Sequence, residues 1–265
     1  MDGWERVTTT VKNAADRVRD IVTRTHLFSQ WPPAMIDKLL EGTELRRYGD
    51  GETAIGYRSP SPYVAIVASG SFIVQRPRVD GDVMIIDYLM AGQATSFLAA
   101  LDEMPASFET VASGVSELVL IARASLLAAL ALDPARYQDI VLMLCRKLRI
   151  EYENTFMRTA NSVRCQLARV ILYWARGQIQ TPKGMRIPIG ISQENLAAVL
   201  GKSRPTINKE IGALIADGIL ARSYRQIQVL DVQALIEIVE RENPGTLGFN
   251  ESIFGKPDGV LMTSD

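Results

Sequence analysis

The segment from Ile191 to Leu220, ISQENLAAVLGKSRPTINKEIGALIADGIL, constrains this chain more than any other. It reads as two short helices joined by a tight turn. Ser192 is placed to cap the first helix, and Gly201 to supply a left-handed turn residue. Ser203 is placed to cap the second helix, which stops at Asp217-Gly218. On the second helix Ile207, Ile211, Leu214 and Ile215 share one side at helical spacing. Arg204, Pro205, Asn208, Lys209 and Gly212 cluster on another, across roughly 140° at about 100° per residue. An apolar back and a small, polar, basic front suit a helix that enters a DNA major groove. An ordinary surface helix hairpin is the competing reading, but it leaves the coincidence of caps, turn glycine and basic front without a cause.

The next residues strengthen the pattern. Ile219 to Arg222 and Gln226 to Leu230 alternate or run apolar around the polar turn Ser223-Tyr224-Arg225, which predicts a hairpin. A hairpin directly after such a helix is the wing of a winged helix-turn-helix. Arg222 and Arg225 are then placed to meet phosphates, which position a protein without reading sequence. Ser192, Gln193, Ser203 and Thr206 complete the expected DNA-facing set with the front of the second helix.

Charge agrees once it is divided by segment. The whole chain carries −1, which argues against nonspecific coating of nucleic acid. Residues 161–241 hold 11 Lys/Arg against 6 Asp/Glu, a surplus of +5. Residues 1–160 hold 17 against 20, and residues 242–265 hold 1 against 4, each −3. The basic surplus lies with the helix-turn-helix, as a DNA-binding module requires.

With 265 residues the chain is long enough for two cores. No apolar run approaches 18 residues; the nearest, Ala124 to Leu132, is short and comes after Arg123. The start, MDGWERVTTT, lacks the charged-then-apolar pattern of a secretory signal. Cys145 and Cys165 are far apart and without metal spacing, and His26 is the only histidine. The expectation is a soluble cytoplasmic protein with no membrane partner, metal or cofactor.

Residues 43–122 read as short strands with turn signals, as in a sandwich or barrel. The turns are Gly49-Asp50-Gly51, Ser59-Pro60-Ser61-Pro62, Ser69-Gly70, Val79-Asp80-Gly81-Asp82 and Ala91-Gly92. Between them lie Tyr63 to Ala68, Phe72 to Gln75, Val83 to Met90 and Leu118 to Ile121, rich in Val, Ile and aromatics. From Asp133 to about Thr159 the pattern becomes helical. Val141, Leu144, Leu148, Tyr152, Thr155 and Thr159 recur there at heptad-like intervals, which predicts a seam against a second copy of the helix. Packing of that helix on its own domain is the alternative. Asn161 or Ser162 caps a further helix carrying Leu167, Val170, Ile171 and Trp174, and a hairpin turns at Thr181-Pro182-Lys183-Gly184.

This order resembles the cyclic-AMP receptor protein/FNR family of bacterial transcription regulators over about residues 30–240. The resemblance rests on VASGSFIVQRPRVDGDVMIIDYLMAGQ, on the long helix, and most specifically on QENLAAVLGKSRPTINKEIGALIADGIL. It implies an α+β chain: an N-terminal helical segment over 1–42 and an effector-sensing β-roll (double-stranded β-helix) of the cyclic-nucleotide-binding type over 43–132. A dimerisation helix over 133–160, a winged helix-turn-helix over 161–241 and an extension over 242–265 complete it. It further implies a homodimer on a two-fold symmetric double-stranded DNA operator, contact with RNA polymerase, and no catalysis. By the same resemblance Arg204 contacts a guanine edge and Lys209 a base or phosphate further along. The cyclic-AMP receptor has an acidic residue where this chain has Pro205, so that contact to a cytosine amine is missing. Proline is tolerated in a first turn, whose amides lack intrahelical partners.

The effector site is where this chain departs from the pattern. Cyclic-nucleotide binders of the family use a Gly-Glu pair for the turn and the ribose hydroxyl, and an Arg followed by Ser or Thr for the cyclic phosphate. The corresponding positions here are Ser96-Phe97 and Ser107-Phe108, the latter followed by Glu109. The adenine-reading pair on the long helix corresponds to Glu151-Tyr152. Loss of a charge-assisted phosphate contact costs about 1.5–3 kcal/mol, and several contacts are missing together, so cyclic AMP is not the expected effector. Phe97, Phe108, Tyr88, Met90 and Tyr152, with Leu148, are expected to line an apolar pocket, with Arg58, Glu109 or Glu151 as polar anchors. That predicts a small organic effector less anionic than a nucleotide; a filled roll with no effector is the alternative. Two cysteines cannot hold the four-cysteine cluster of the FNR branch. His26, near Phe28 and Trp31, reads as a packing residue rather than a haem ligand, and Cys145 as a packed thiol rather than a redox switch. A cupin-like enzyme, the remaining alternative, lacks histidine ligands within the roll.

Overall fold

The computed structural model describes residues 3–78, 83–175, 180–181, 184–186, 193–223 and 226–244. The chain divides into two compact units, Met1–Met143 and Leu144–Asp265.

In the first unit, α1 (Gly3–Arg24) and α2 (Pro33–Leu40) precede the strands. Pro33 starts α2 where a missing N–H does no harm, and Met35, Ile36 and Leu39 bury its apolar stripe. The sheet is built on two long antiparallel strands, β3 (Tyr63–Pro77) and β6 (Glu109–Ala122). β1 (Glu44–Tyr48) and β2 (Thr53–Ile55) pair with β6, while β4 (Val83–Met90) and β5 (Ala94–Thr95) pair with β3. Two helices, α3 (Phe97–Asp102) and α4 (Arg123–Leu132), flank β6 in the chain. One apolar cluster fills the interior, with Tyr48, Val67, Phe72, Val74, Leu89 and Leu118 at its centre and Phe108 packed against it. Tyr48 and Phe72 meet edge to face, ring centres 5.7 Å apart.

The expected turn at Ser69-Gly70 is instead a bulge within one continuous strand. The β3–β6 register shifts on both sides of Ser69, and Gly70 has φ +73. The broken ladder is patched from β6: the buried Ser116 hydroxyl accepts from the Ser71 N–H at 3.1 Å and donates to the Ser71 carbonyl at 2.9 Å. A Cβ on residue 70 would lie 2.8 Å from the Val115 carbonyl oxygen. Gly70→Ala is therefore expected to destabilise the protein by at least about 1–2 kcal/mol, the cost of a left-handed non-glycine residue alone. Chemical denaturation measures this, and an unchanged midpoint would remove the bulge from the stability account.

The long helix also begins later than the sequence suggests. Pro134 has no N–H to donate and sits in a short 3-10 turn, Pro134–Arg136, capped by the Asp133 side chain; α5 proper is Tyr137–Ala160. The second unit continues with α6 (Val163–Ala175), β7 (Gln180–Thr181), β8 (Gly184–Arg186), α7 (Gln193–Leu200), α8 (Arg204–Ala216), β9 (Leu220–Ser223), β10 (Gln226–Val229) and α9 (Val232–Glu242). The four strands form an antiparallel sheet in the order β7-β8-β10-β9. Ser162 caps α6, its hydroxyl accepting from the Cys165 N–H at 3.1 Å. Residues expected at turns, namely Asp80-Gly81, Pro182-Lys183 and Tyr224-Arg225, lie outside the described residues, as does the extension beyond Pro244.

Candidate nucleic-acid interface

The interface is assembled around two helix ends of one kind. Gly201, at φ +61, ends α7; its N–H donates to the Ala198 carbonyl at 3.4 Å, and the Lys202 N–H reaches the Ala197 carbonyl at 3.0 Å. Gly218, at φ +73, ends α8 in the same way, with Gly218 N–H to Ile215 at 3.0 Å and Ile219 N–H to Leu214 at 2.9 Å. At the start of α8 the Ser203 side chain accepts from the Thr206 N–H at 3.3 Å, and the two hydroxyls are 2.7 Å apart. The Ser192 cap proposed for α7 lies outside the described residues.

Apolar packing fixes the back of α8. Ile207, Ile211 and Leu214 are buried, as are Leu196 and Leu200 of α7, Leu167 and Ile171 of α6, and Leu235 and Val239 of α9. The helix α9 is an addition to the elements expected from the sequence. Its signal was present: the Asp231 side chain accepts from Ala234 N–H at 2.9 Å, and Leu235 and Val239 are four residues apart. The carboxylate of Glu242 at its end accepts from the Ser162 N–H and hydroxyl, at 2.8 and 2.5 Å, tying α9 to the start of α6.

The front of α8 is open. Ser203, Arg204, Pro205, Lys209 and Gly212 are exposed, with Thr206 and Asn208 half-buried. A glycine inside a helix costs roughly 0.5–1 kcal/mol relative to alanine. Among the described residues no atom would meet a Cβ at Gly212. Packing within the unit therefore gives no reason for it, whereas close approach of another molecule does. Gln193 is half-buried at the start of α7. Arg222 is on β9 as expected, though only its backbone is described, and Arg225 lies outside the described residues.

Within the first unit the expected effector residues do not share one face. Phe108 packs on the roll interior, and Glu109 accepts from Gln75 Nε2 at 2.6 Å. Leu89, cross-strand partner of Phe72, belongs to that interior, so its neighbour Tyr88, partner of Ile73, faces the opposite side of β4 and is buried there. Met90 falls on the Tyr88 side, while Phe97 is buried in α3. Arg58 is exposed. Leu148, Glu151 and Tyr152 are exposed on the part of α5 that belongs to the second unit. His26 is exposed, beside a Phe28–Trp31 edge-to-face pair with centres 4.9 Å apart. Cys145 is exposed rather than packed, and burial pushes the Cys165 thiol up from its usual range.

Residues 45–133 match the cyclic nucleotide-binding domain, and residues 165–238 match the Crp-like helix-turn-helix domain. The chain belongs to the cyclic-AMP receptor protein/FNR family. It is 24% identical over 212 residues to the cyclic AMP receptor protein of Thermus thermophilus, spanning 80% of this chain and 95% of that one. Over 217 residues it is 22% identical to a CRP-like cAMP-activated global transcriptional regulator of Mycobacterium tuberculosis, spanning 82% and 97%. The solved structure of FixK2 from Bradyrhizobium japonicum shares the fold, with TM-score 0.64 at 21% identity, covering 74% of this chain and 96% of that one. This member of the family is a DNA-binding transcription regulator, and its relatives are regulators rather than enzymes. Among its described residues no helix is long and apolar enough to cross a membrane.

Proposed function

We propose that this regulator binds a two-fold symmetric operator as a homodimer, with α8 of each copy in the major groove. The open, polar and basic front of a doubly capped α8 carries the reading. Arg204, in the first turn, presents two parallel donors to guanine O6 and N7; Lys209 contacts a base or phosphate further along, and Arg222 and Arg225 the phosphates. Recruitment of RNA polymerase rests on the family resemblance. The deciding experiment is a DNA-shift competition between the protein's own upstream region and scrambled duplex. Equal competition by the two would reject sequence-specific binding.

The relatives named above include a cyclic AMP receptor protein and a cAMP-activated regulator, yet this chain is proposed not to respond to cyclic nucleotides. Supporting this, Phe97 offers the ribose hydroxyl no acceptor, Ser107 carries no charge, and Glu109 adds a repulsive one. Cyclic AMP and cyclic GMP are expected neither to bind at micromolar concentration nor to change DNA affinity. Micromolar binding by calorimetry would sink this reading.

A further inference from the structure

Tyr57 lies in the loop between β2 and β3, and two guanidiniums flank its ring. Arg58 Cζ is 5.3 Å and Arg76 Cζ 5.4 Å from the ring centre, and Arg76 Nη2 donates to the Tyr57 oxygen at 3.1 Å. Both arginines are exposed, and neither is paired with a carboxylate among the described residues. Two like charges held at one ring, with no carboxylate partner among the described residues, favour the arrival of an anion. Arg58 is held there against its own backbone preference. It has φ +59, a conformation glycine adopts freely and arginine does not, and its loop is clamped by Arg58 N–H to Ala106 at 2.8 Å and Ala106 N–H to Ser59 at 2.9 Å.

The site lies at the end of a strand that lines the roll interior. Phe72 and Val74 face inward, and the alternation of β3 puts Arg76 on their side at the strand's end. Gln75 pairs with Glu109, so continuing that register sets Phe108 across from Arg76. The bond from Arg76, then the proximity of Arg58, holds the Tyr57 phenol below its usual range. Its oxygen accepts from Arg76, which leaves the O–H to donate outward.

We infer that Tyr57, Arg58 and Arg76 form an oxyanion site at the rim of the β-roll, suited to the dianion of phosphate or a phosphate monoester. Two guanidinium forks and a phenol O–H supply enough donors for its oxygens. This departs from the sequence-based expectation of an apolar effector, because the cations come from the β2–β3 loop and the end of β3 rather than from positions 96–97 and 107–109.

The test titrates the full chain with inorganic phosphate, and separately with ribose 5-phosphate, at low ionic strength. It monitors the alkaline absorbance of Tyr57 phenolate as the difference between the wild type and Tyr57→Phe. The site predicts a saturable rise in the Tyr57 ionisation midpoint, because an anion beside the phenol opposes its ionisation. Arg76→Gln and Arg58→Gly should each weaken saturation at least tenfold. Arg58→Gly should melt no lower than the wild type, since glycine relieves the backbone, and Arg204→Ala should leave the titration unchanged. Equal affinity for both ligands supports a free-phosphate site, and tighter ribose 5-phosphate supports a monoester seated against Phe108. No saturation by either, or saturation unaltered in both arginine variants, overturns the site. Insensitivity to cyclic AMP is measured separately and does not depend on that outcome.

Discussion

Arg204→Ala is expected to abolish discrimination between operator and scrambled DNA while leaving the fold intact. The side chain is exposed in the first turn of α8, so its loss opens no cavity. One bidentate arginine–guanine pair contributes about 1–3 kcal/mol. In a symmetric dimer two pairs are lost together, which corresponds to roughly thirtyfold to ten-thousandfold in specific affinity. Arg225→Ala serves as the contrast: loss of a phosphate contact should weaken all sequences alike and flatten the salt dependence. A competition assay in which Arg204→Ala keeps full discrimination would show that α8 does not read the operator.

Leu148→Glu is expected to dissociate the proposed homodimer. On α5 the side chains of Val141, Leu148, Tyr152 and Phe156 are 54, 51, 67 and 57% exposed in the single chain. A stripe of large apolar side chains at spacings of seven and four is what a partner helix covers. A glutamate at position 148 would bring two carboxylates together in a desolvated seam, costing several kcal/mol. Light scattering is the measurement, with Leu148→Met as the conservative control. A Leu148→Glu variant that remains dimeric would place the subunit contact elsewhere.

The parts legible in the sequence were those written locally. Ser203, Gly201 and Gly218 occur where helix ends require them, and the apolar spacing of α8 determines which face is buried, so the helix-turn-helix could be read within 30 residues. The bulge in β3 could not. Ser69-Gly70 has the composition of a turn, and only the hydroxyl of Ser116, far along the chain on β6, makes continuation of the strand possible. The facing of Tyr88 escaped for a similar reason. β4 carries a register shift opposite Val74 and Gln75, and only the pairing with β3 says which residues look inward. Arg58 gave no local sign of its left-handed backbone, since arginine has no preference for it and the clamp comes from Ala106.

The two glycine-ended helices have a consequence for how such a regulator diversifies. The turns that set the pitch of α8 close on main-chain atoms, N–H to carbonyl, and the back of the helix is held by its isoleucines and leucine. Neither depends on what stands at positions 204, 205, 208 or 209. The frame and the lettering are separate, so a gene copy can drift to a new operator by changing its letters one at a time, each intermediate still folding as its parent did.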